Sequence, residues 1–515
     1  MQTAIKPACI LCNLTQRSKT MSAKKFYITT AIPSTSSRPH IGNYYDHVCA
    51  DAIARYKRMQ GYDVDFCTGT DEHGEKIESY AKKAGVAPKA YVDGLADVIR
   101  KGCDVLRISY DRFIRTTDDY HETAVQKIFT KLYNQGDIYL GTYEGYYCTP
   151  CEEHLTQTQL DDGKCPLCGR EVHILKEDGY FLRLSKYQEW IENLFAENPD
   201  FLLPKSRMNE MMNSIIKSGV LDICISRTSV KWGIPVREAP DHVIWIWIDA
   251  LSNYITALGY NTEENSDDYR KYWPADLHVI GKDIARFHAI YWPIMLHALG
   301  EPIPKQILAH PWVLFGESKM SKTTGNVIYA EDLAQEIGVD AVRYYLLATT
   351  PYAQDGSITQ KQVYELYNAD LANTLGNLVN RTLAMCNKYF GGVKPAPGSI
   401  EAVDADLFAV RDETVKLFNA KMDAYLLQEA MSAVRELAKR ANKYIDETTP
   451  WAIAKDETLK QTRLTTVINH LLSVIDTLAD LYTPAMPETA EKIKAQLGAD
   501  KVTEKPEPLF ARLTV

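Results

Sequence analysis

Lys24-Lys25-Phe26-Tyr27-Ile28-Thr29-Thr30-Ala31-Ile32, then Pro33-Ser34-Thr35-Ser36-Ser37-Arg38-Pro39, then His40-Ile41-Gly42-Asn43, is the stretch on which the fold turns. The opening run is apolar and β-branched and has the length of a buried strand, and the Ser, Thr and Pro that follow interrupt it. From about Ile41 to Met59 the spacing is helical and Gly61 ends it, so the segment reads as strand, loop and helix. Val64 to Thr68 repeats the strand pattern and helical spacing resumes at Glu75, so residues 24 to about 135 alternate β with α. Such alternation predicts an α/β fold with a doubly wound parallel sheet.

Working outward, the texture changes near Gly136 to short pieces rich in Gly, Tyr and Cys, with helical runs at Tyr187 to Ala196 and Lys205 to Ser218. We read residues 136–235 as an insertion that splits the α/β domain into 24–135 and 236–325. Two apolar runs, Val243 to Asp249 and Leu277 to Gly281, are expected to resume the same sheet. Residues 326–362 form a connecting region, and 363–515 read as an all-α bundle, with amphipathic runs at Val403 to Asn419 and Leu426 to Ile445. Residues 1–23 carry Lys6, Arg17 and Lys19 without an acid and are expected to be a disordered extension.

A chain of 515 residues with 45% hydrophobic and 24% charged residues buries several cores, which excludes a disordered or collagen-like protein. The net charge of -9 excludes a global basic field, so any nucleic acid must be gripped locally. No apolar run reaches the roughly 20 residues of a membrane span, and no membrane partner is expected. Eleven Cys, an odd number with two close Cys-x-x-Cys pairs, point to thiols and metal in a reducing compartment, and the cytoplasm is the default.

Cys148-x-x-Cys151 and Cys165-x-x-Cys168 are separated by 13 residues, with Pro150, Gly163, Pro166 and Gly169 providing turns around the sulfurs. Four thiolates complete a tetrahedral shell for Zn²⁺, and a full shell leaves no position for water, so the metal is expected to be structural. Cys9-x-x-Cys12 has no second pair nearby and reads as incidental.

Pro39-His40-Ile41-Gly42-Asn43 stands where a helix begins after a sheet strand. Backbone N–H groups and the helix dipole favour anions there, and Gly42 allows close approach. Alone, His40 is also compatible with a cap. Far downstream, Phe315-Gly316-Glu317-Ser318-Lys319-Met320-Ser321-Lys322-Thr323-Thr324-Gly325-Asn326 brackets Met-Ser with two lysines, which suits a phosphate clamp as well as a solvated basic loop. Both strings, in this order across a split α/β domain, favour phosphate binding.

These two strings resemble the signatures His-Ile-Gly-His and Lys-Met-Ser-Lys-Ser of the class I aminoacyl-tRNA synthetases. Within that class the chain is similar to the methionyl-tRNA synthetase family from about Phe26 to the C-terminus, including the cysteine-bearing insertion and the helical region. The resemblance implies a Rossmann-like catalytic domain, a stem-contact region at 326–362 and an anticodon-binding bundle at 363–515. It implies ligation of L-methionine to tRNA(Met) with Mg²⁺-ATP, one structural Zn²⁺, and a monomer, since no appended dimerisation module follows.

The family's catalytic positions fall on His40, Asn43, Lys319 and Lys322, and its ATP contacts on Gly42, Gly281, Asp283 and the same lysines. Its methionine pocket falls on Ile32, Asp71, Trp247, Ala250, Tyr254, Ile284, His288 and Trp292. A thioether suits a cage of rings, and an ammonium needs a carboxylate such as Asp71. Its anticodon contacts fall on Asn377, Arg381 and Trp451, groups that stack on and hydrogen-bond to unstacked bases. Departures are Asn43 for the second His, Ser34 for a usual Tyr, Leu251 for Pro, Pro311 for Gly and Thr323 for the final Ser.

Overall fold

A computed structural model describes residues 23–149, 153–155, 157–166, 169–316, 320 and 327–514. The extension read at 1–23 therefore lies outside the described residues, apart from Ala23. The chain divides into two compact units, the first comprising the described residues of 1–39, 57–101 and 109–310, the second those of 40–56, 102–108 and 311–515.

The first unit is built on a six-stranded sheet of β1 (Lys25–Thr30), β2 (Asp63–Thr70), β3 (Arg112–Arg115), β4 (Leu202–Leu203), β5 (Leu277–Gly281) and β6 (Ile307–His310). Every neighbouring pair is parallel and the spatial order is β3-β2-β1-β5-β6-β4. Burial along β2 is continuous from Asp65 to Thr70 rather than alternating, as expected of a parallel strand covered on both faces. The order reverses between β1 and β5, where Ile28 pairs with Leu277. At such a switch point the loops leaving the carboxyl ends of the two strands part and leave a crevice.

The span read as an insertion supplies edge strand β4 and a long antiparallel ribbon, Ile138–Cys148 against His173–Leu182. Of the two apolar runs expected to resume the sheet, only Leu277 to Gly281 does. Ala239–Ile244 instead pairs antiparallel with Ser226–Arg227 and Ile234–Val236, and helix α1 (Ile246–Thr256) starts two residues later. Trp245, Ile248, Ala250 and Leu251 are all buried, and a helix buried on several sides loses the polar face that would separate it from a strand. Helix α2 (Trp292–Leu299) follows β5 through a π-helical turn at Phe287–Tyr291.

In the second unit Val313–Phe315 pairs in parallel with Gly356–Ile358, and most of the other described residues are helical. The principal helices are α3 (Asn377–Phe390), α4 (Ala402–Asp423), α5 (Leu427–Thr448) and α6 (Thr465–Tyr482). Helix α5 buries Leu427, Met431, Val434, Leu437, Ala438, Ala441 and Ile445, the stripe of a helix with one face on the core. The helical stretch Glu457–Tyr482 has the length and a mean hydropathy of 1.2 that a membrane span would need, but 72% of that window is buried in the protein. Segments 40–56 and 102–108 belong to this unit, and Arg343, 0% exposed, ties both into it. Its guanidinium donates to Asp51 Oδ2 at 2.6 Å and to the carbonyls of Leu106, Pro484 and Ala485 at 2.9 Å. A charge so deeply buried persists only with such complete partnering.

Candidate functional site

At the switch point of the first unit, Ala31 N–H donates to Val279 O at 3.0 Å and holds the chain in the sheet up to Ile32. Thr35 N–H donates to Asp71 O at 2.9 Å and Asp71 N–H to Pro33 O at 3.1 Å, which brings the buried Asp71 to the end of β1 beside Ser34. Trp247, Ala250 and Tyr254 recur on one face of α1 at spacings of three and four. Tyr254 is 1% exposed, and its hydroxyl lies 2.7 Å from His288 Nε2. His288 Nδ1 is 2.9 Å from Ile284 O. The carbonyl can only accept, so Nδ1 carries the proton and Nε2 accepts from Tyr254. Trp292 is fully buried with its ring centroid 6.0 Å from that of Tyr254, and Trp247 stacks on Phe287 at 3.5 Å. Seven of the eight predicted pocket residues thus come from α1 and from the segments that follow β1 and β5, and the eighth, Asp71, from the end of β2.

Burial pushes His288 down to about 4, so the imidazole is neutral at pH 7. His278, on β5, is also lowered by burial and then by the nearness of His288. Trp292 Nε1 donates to His278 Nε2 at 3.2 Å, which leaves Nδ1 as the donor to Thr29 Oγ1 at 2.6 Å. The ring-lined end is therefore uncharged, suited to a soft apolar group, while Asp71 supplies an acid at the other end.

The predicted phosphate turn lies in the second unit. His40 precedes a single 3₁₀ turn, Ile41–Asn43, whose Ile41 N–H donates to Ile328 O at 2.8 Å. Residue 328 follows the Lys-Met-Ser-Lys string by only a few positions in the sequence. Lys319 and Lys322 lie outside the described residues; Met320 between them is buried. A Cβ on Gly42 would lie 3.1 Å from the His40 ring and 3.4 Å from Val313 O, which leaves little room for a side chain. Asn43 Oδ1 accepts from His40 N–H at 3.0 Å, so its amide nitrogen is left as a donor on an exposed side chain. In the first unit, a Cβ on Gly281 would fall 2.6 Å from Asp283 Oδ1, so only glycine lets Asp283 fold over the end of β5.

In the bundle, Asn377 opens α3 and is exposed, and Arg381 one turn on pairs with Asp446 at 3.0 Å. Trp451 is 47% exposed, in the one-turn helix Pro450–Ile453. Thr449, which caps that helix, has φ +45°, a left-handed conformation costly for a β-branched residue and characteristic of functional positions. Trp451 is thus an exposed indole next to a left-handed turn and not a core residue of the bundle.

A family model described as class I tRNA synthetases (M) matches residues 26–173 and 149–383, and one described as the anticodon-binding domain of methionyl tRNA ligase matches 394–514. Methionine–tRNA ligase of Clostridium perfringens is 52% identical over 483 residues, covering 94% of this chain and 74% of its own. That of Caldanaerobacter subterraneus is 52% identical over 475 residues, covering 92% and 74%. Mycobacterium tuberculosis methionyl-tRNA synthetase in complex with methionyl-adenylate superposes with a TM-score of 0.91 at 39% identity, over 95% of this chain and all of that one. The chain belongs to the methionyl-tRNA synthetase family. It is accordingly a methionine–tRNA ligase, an enzyme of the class I aminoacyl-tRNA synthetases, with methionine, ATP and tRNA as its substrates.

The synthetase insertion places Cys148 at the end of the ribbon and Cys165 in a turn closed by Gly169 N–H to Cys165 O at 2.8 Å and Cys165 N–H to Arg170 O at 3.0 Å. Both thiols are buried in one small cluster with Leu155. Cys151 and Cys168 lie outside the described residues, and among the described residues no three candidate ligands converge on a metal position. Two buried thiols, one at a strand end and one in a tight glycine-closed turn, fit the zinc assignment.

Sequence reasoning missed what stands beside α1 and the predicted pocket residues. His73 Nδ1 lies 2.7 Å from Asp249 Oδ2, and Asp249 Oδ1 lies 2.8 Å from His121 Nε2, all three buried. Burial alone would lower His73, but Asp249, and more weakly Glu122, raise it to about 10. Burial opposes ionisation of Asp249, but the charge of His73 and hydrogen bonds from both histidines hold it below the ordinary carboxylate range. Next door, Glu72 takes Arg115 at 2.7 and 2.9 Å and the hydroxyls of Thr70 and Thr117. This network pins the loop after Asp71 to α1. The one available signal was an acid within the apolar string Trp247-Ile248-Asp249-Ala250 and a histidine directly after two acids in Asp71-Glu72-His73.

Proposed function

We propose that the crevice at the β1–β5 switch point takes L-methionine with its thioether among Trp247, Ala250, Tyr254, Ile284, His288 and Trp292. Its ammonium then meets Asp71 and the Ile32 backbone. The observation that carries this reading is the neutral Tyr254–His288–Ile284 chain beside Trp292: it offers the side chain an apolar, uncharged wall and leaves the acid to the opposite end. Ser34, smaller than the family's usual Tyr, leaves that side of the pocket wider, and Leu251 points its bulk into the core, where it is 3% exposed.

The first step is in-line attack by a carboxylate oxygen of methionine on the α-phosphorus of Mg-ATP. The new P–O bond gives methionyl-adenylate as the bond to the β-phosphate oxygen breaks and pyrophosphate leaves with the electron pair. Gly42, Gly281 and Asp283 position the nucleotide, while His40, Asn43, Lys319 and Lys322 stabilise charge on the phosphate oxygens. Asparagine is well suited to position 43, because its oxygen satisfies the backbone of the turn and its amide nitrogen remains to donate to phosphate. The terminal ribose hydroxyl of tRNA(Met) then attacks the methionyl carbonyl and AMP departs, while Asn377, Arg381 and Trp451 hold the anticodon. One structural Zn²⁺ on Cys148, Cys151, Cys165 and Cys168 would cross-link two turns that have little core of their own. We place the enzyme in the cytoplasm as a monomer.

Exchange of pyrophosphate into ATP, driven by methionine with cysteine, leucine and isoleucine as controls and no tRNA present, tests the reading. Exchange with methionine alone is expected. Exchange with another of these amino acids would overturn the pocket assignment.

A further inference from the structure

The turn Ile41–Asn43 continues into helix Tyr45–Met59, whose fully buried Asp51 accepts from Arg343 at 2.6 Å and from Arg55 at 2.7 Å. Arg343 stands on helix Val339–Thr349. Its remaining bonds go to Leu106 O in segment 102–108 and to Pro484 O and Ala485 O at the corner after α6. Segment 102–108 also meets the turn directly. A Cβ on Gly102 would overlap the hydroxyl of Tyr44, the fully buried residue that closes the turn, so only glycine admits that ring.

The connection closes on its other side as well. Gly338 alone separates helix Val339–Thr349 from helix Ala330–Ile337, and Ile328, just before that helix, accepts from Ile41 N–H at 2.8 Å. The turn, helix Tyr45–Met59, the Asp51–Arg343 pair, the two short helices and Ile328 thus form a circuit that returns to the turn. A buried ion pair adds little net stability over well-packed apolar residues, whereas a planar guanidinium bonded to four fixed acceptors sets direction as well as distance. Arg343, wholly enclosed, has no path to a substrate.

We propose that Arg343 is a positioning residue for adenylate formation: through Asp51 and Leu106 it fixes the helix and the segment on which the His40–Asn43 turn is mounted. The inference rests on the reading of His40 and Asn43 as phosphate contacts. A displacement of about 1 Å at a reacting group costs on the order of 10²-fold in rate. The predicted methionine residues all lie in the first unit and take no part in the circuit, so methionine binding is spared.

The test uses the full chain in pyrophosphate exchange without tRNA, with rates counted per methionine-binding molecule by equilibrium dialysis, so that unfolded protein does not enter. Arg343→Lys keeps a cation beside Asp51, but one ammonium cannot also hold carbonyls on two further segments. Arg343→Met combined with Asp51→Asn removes both charges and leaves neither buried alone. In each, kcat is expected to fall roughly 10- to 100-fold while methionine affinity stays within about twofold. In an Asn43→Ala background, Arg343→Lys is expected to add less than its full loss, because both act on one turn. An unchanged kcat, an equal loss in methionine affinity, or losses that simply multiply with Asn43→Ala each overturn the proposal. If His40→Ala and Asn43→Ala are themselves silent, the phosphate reading fails and the proposal falls with it. If they lose rate and the Arg343 variants do not, only the positioning role is overturned.

Discussion

Replacing Asp249 with Asn changes one oxygen to nitrogen and leaves no cavity, so it isolates the charge at the centre of the His73–Asp249–His121 network. With the carboxylate, His73 is held at about 10 against an ordinary value near 6.5. At pH 7 the folded state thus holds a proton that would be lost only some three pH units higher, which corresponds to about 4 kcal/mol. That agrees with the ~3–5 kcal/mol usually lost when one member of a buried pair is removed. A raised histidine contributes stability that is fully present below its unfolded value and is lost as pH rises through its folded value. The gap between wild type and Asp249→Asn is therefore expected to be about 3–4 kcal/mol near pH 7 and to close toward pH 10. Urea unfolding followed by tryptophan fluorescence reads it, because Trp190, Trp232, Trp245, Trp247, Trp273 and Trp292 all lie in the first unit. Since Asp249 sits between Trp247 and Ala250 on α1, the KM for methionine in pyrophosphate exchange is expected to rise in parallel. A gap under about 1 kcal/mol at pH 7, or one that widens toward pH 10, would refute the argument.

Tyr254→Phe strands His288 Nε2 as a buried acceptor, so we expect a loss of about 1–3 kcal/mol in stability and a higher methionine KM, both absent if the two residues do not act together. His288, held near 4, and His278, also lowered, make stability rise with pH between about 4 and 6.5. The His288 contribution is about 3 kcal/mol, and a His288→Gln variant is expected to flatten that limb of the urea-melt profile. Lys322→Ala should cost roughly 10²–10³ in the rate of adenylate formation with methionine affinity nearly unchanged, and equal losses in both would remove the lysine from the transition state. Metal analysis should find one zinc per chain, and a chelator should release it together with four titratable thiols; thiols that titrate fully beforehand would exclude the site.

What was legible in the sequence is what repeats or what carries its chemistry in consecutive residues. The β1 run and the long helices of the bundle announce themselves by period, by Gly and Pro, or by burial of one face, whereas the helix read from about Ile41 starts as a separate 3₁₀ turn, Ile41–Asn43, and becomes α-helical only at Tyr45–Met59. The apolar run at Val243 to Asp249 did not, because a helix enclosed by protein and a covered strand share the same unbroken hydrophobicity until length and hydrogen bonding separate them. His278, His121 and Asp249 were illegible for a related reason. Each is a single polar residue whose role depends on a partner more than a hundred positions away, as in the 128-residue separation of His121 and Asp249. The membership of residues 40–56 in the second unit was equally hidden, since its ties are to distant residues such as Arg343, a charge set within the otherwise ordinary helical run Val342-Arg343-Tyr344-Tyr345. Local pattern identifies elements; only the folded chain reveals which polar groups find each other.

The π-helical turn at Phe287–Tyr291 carries a consequence for how this pocket can vary. His288 lies inside it and Trp292 directly after it, so the relative aim of the two rings depends on the number of residues in the turn as much as on their identity. Loss of one residue there would relax the turn to an ordinary α-helix and rotate everything that follows by about 100° around the axis, carrying Trp292 away from Tyr254. Under the proposed methionine reading, chain length at this point acts as a second code for amino-acid choice, one that substitution scanning leaves unread. A relative with a one-residue gap here would be expected to hold a differently shaped side chain even with every pocket residue retained.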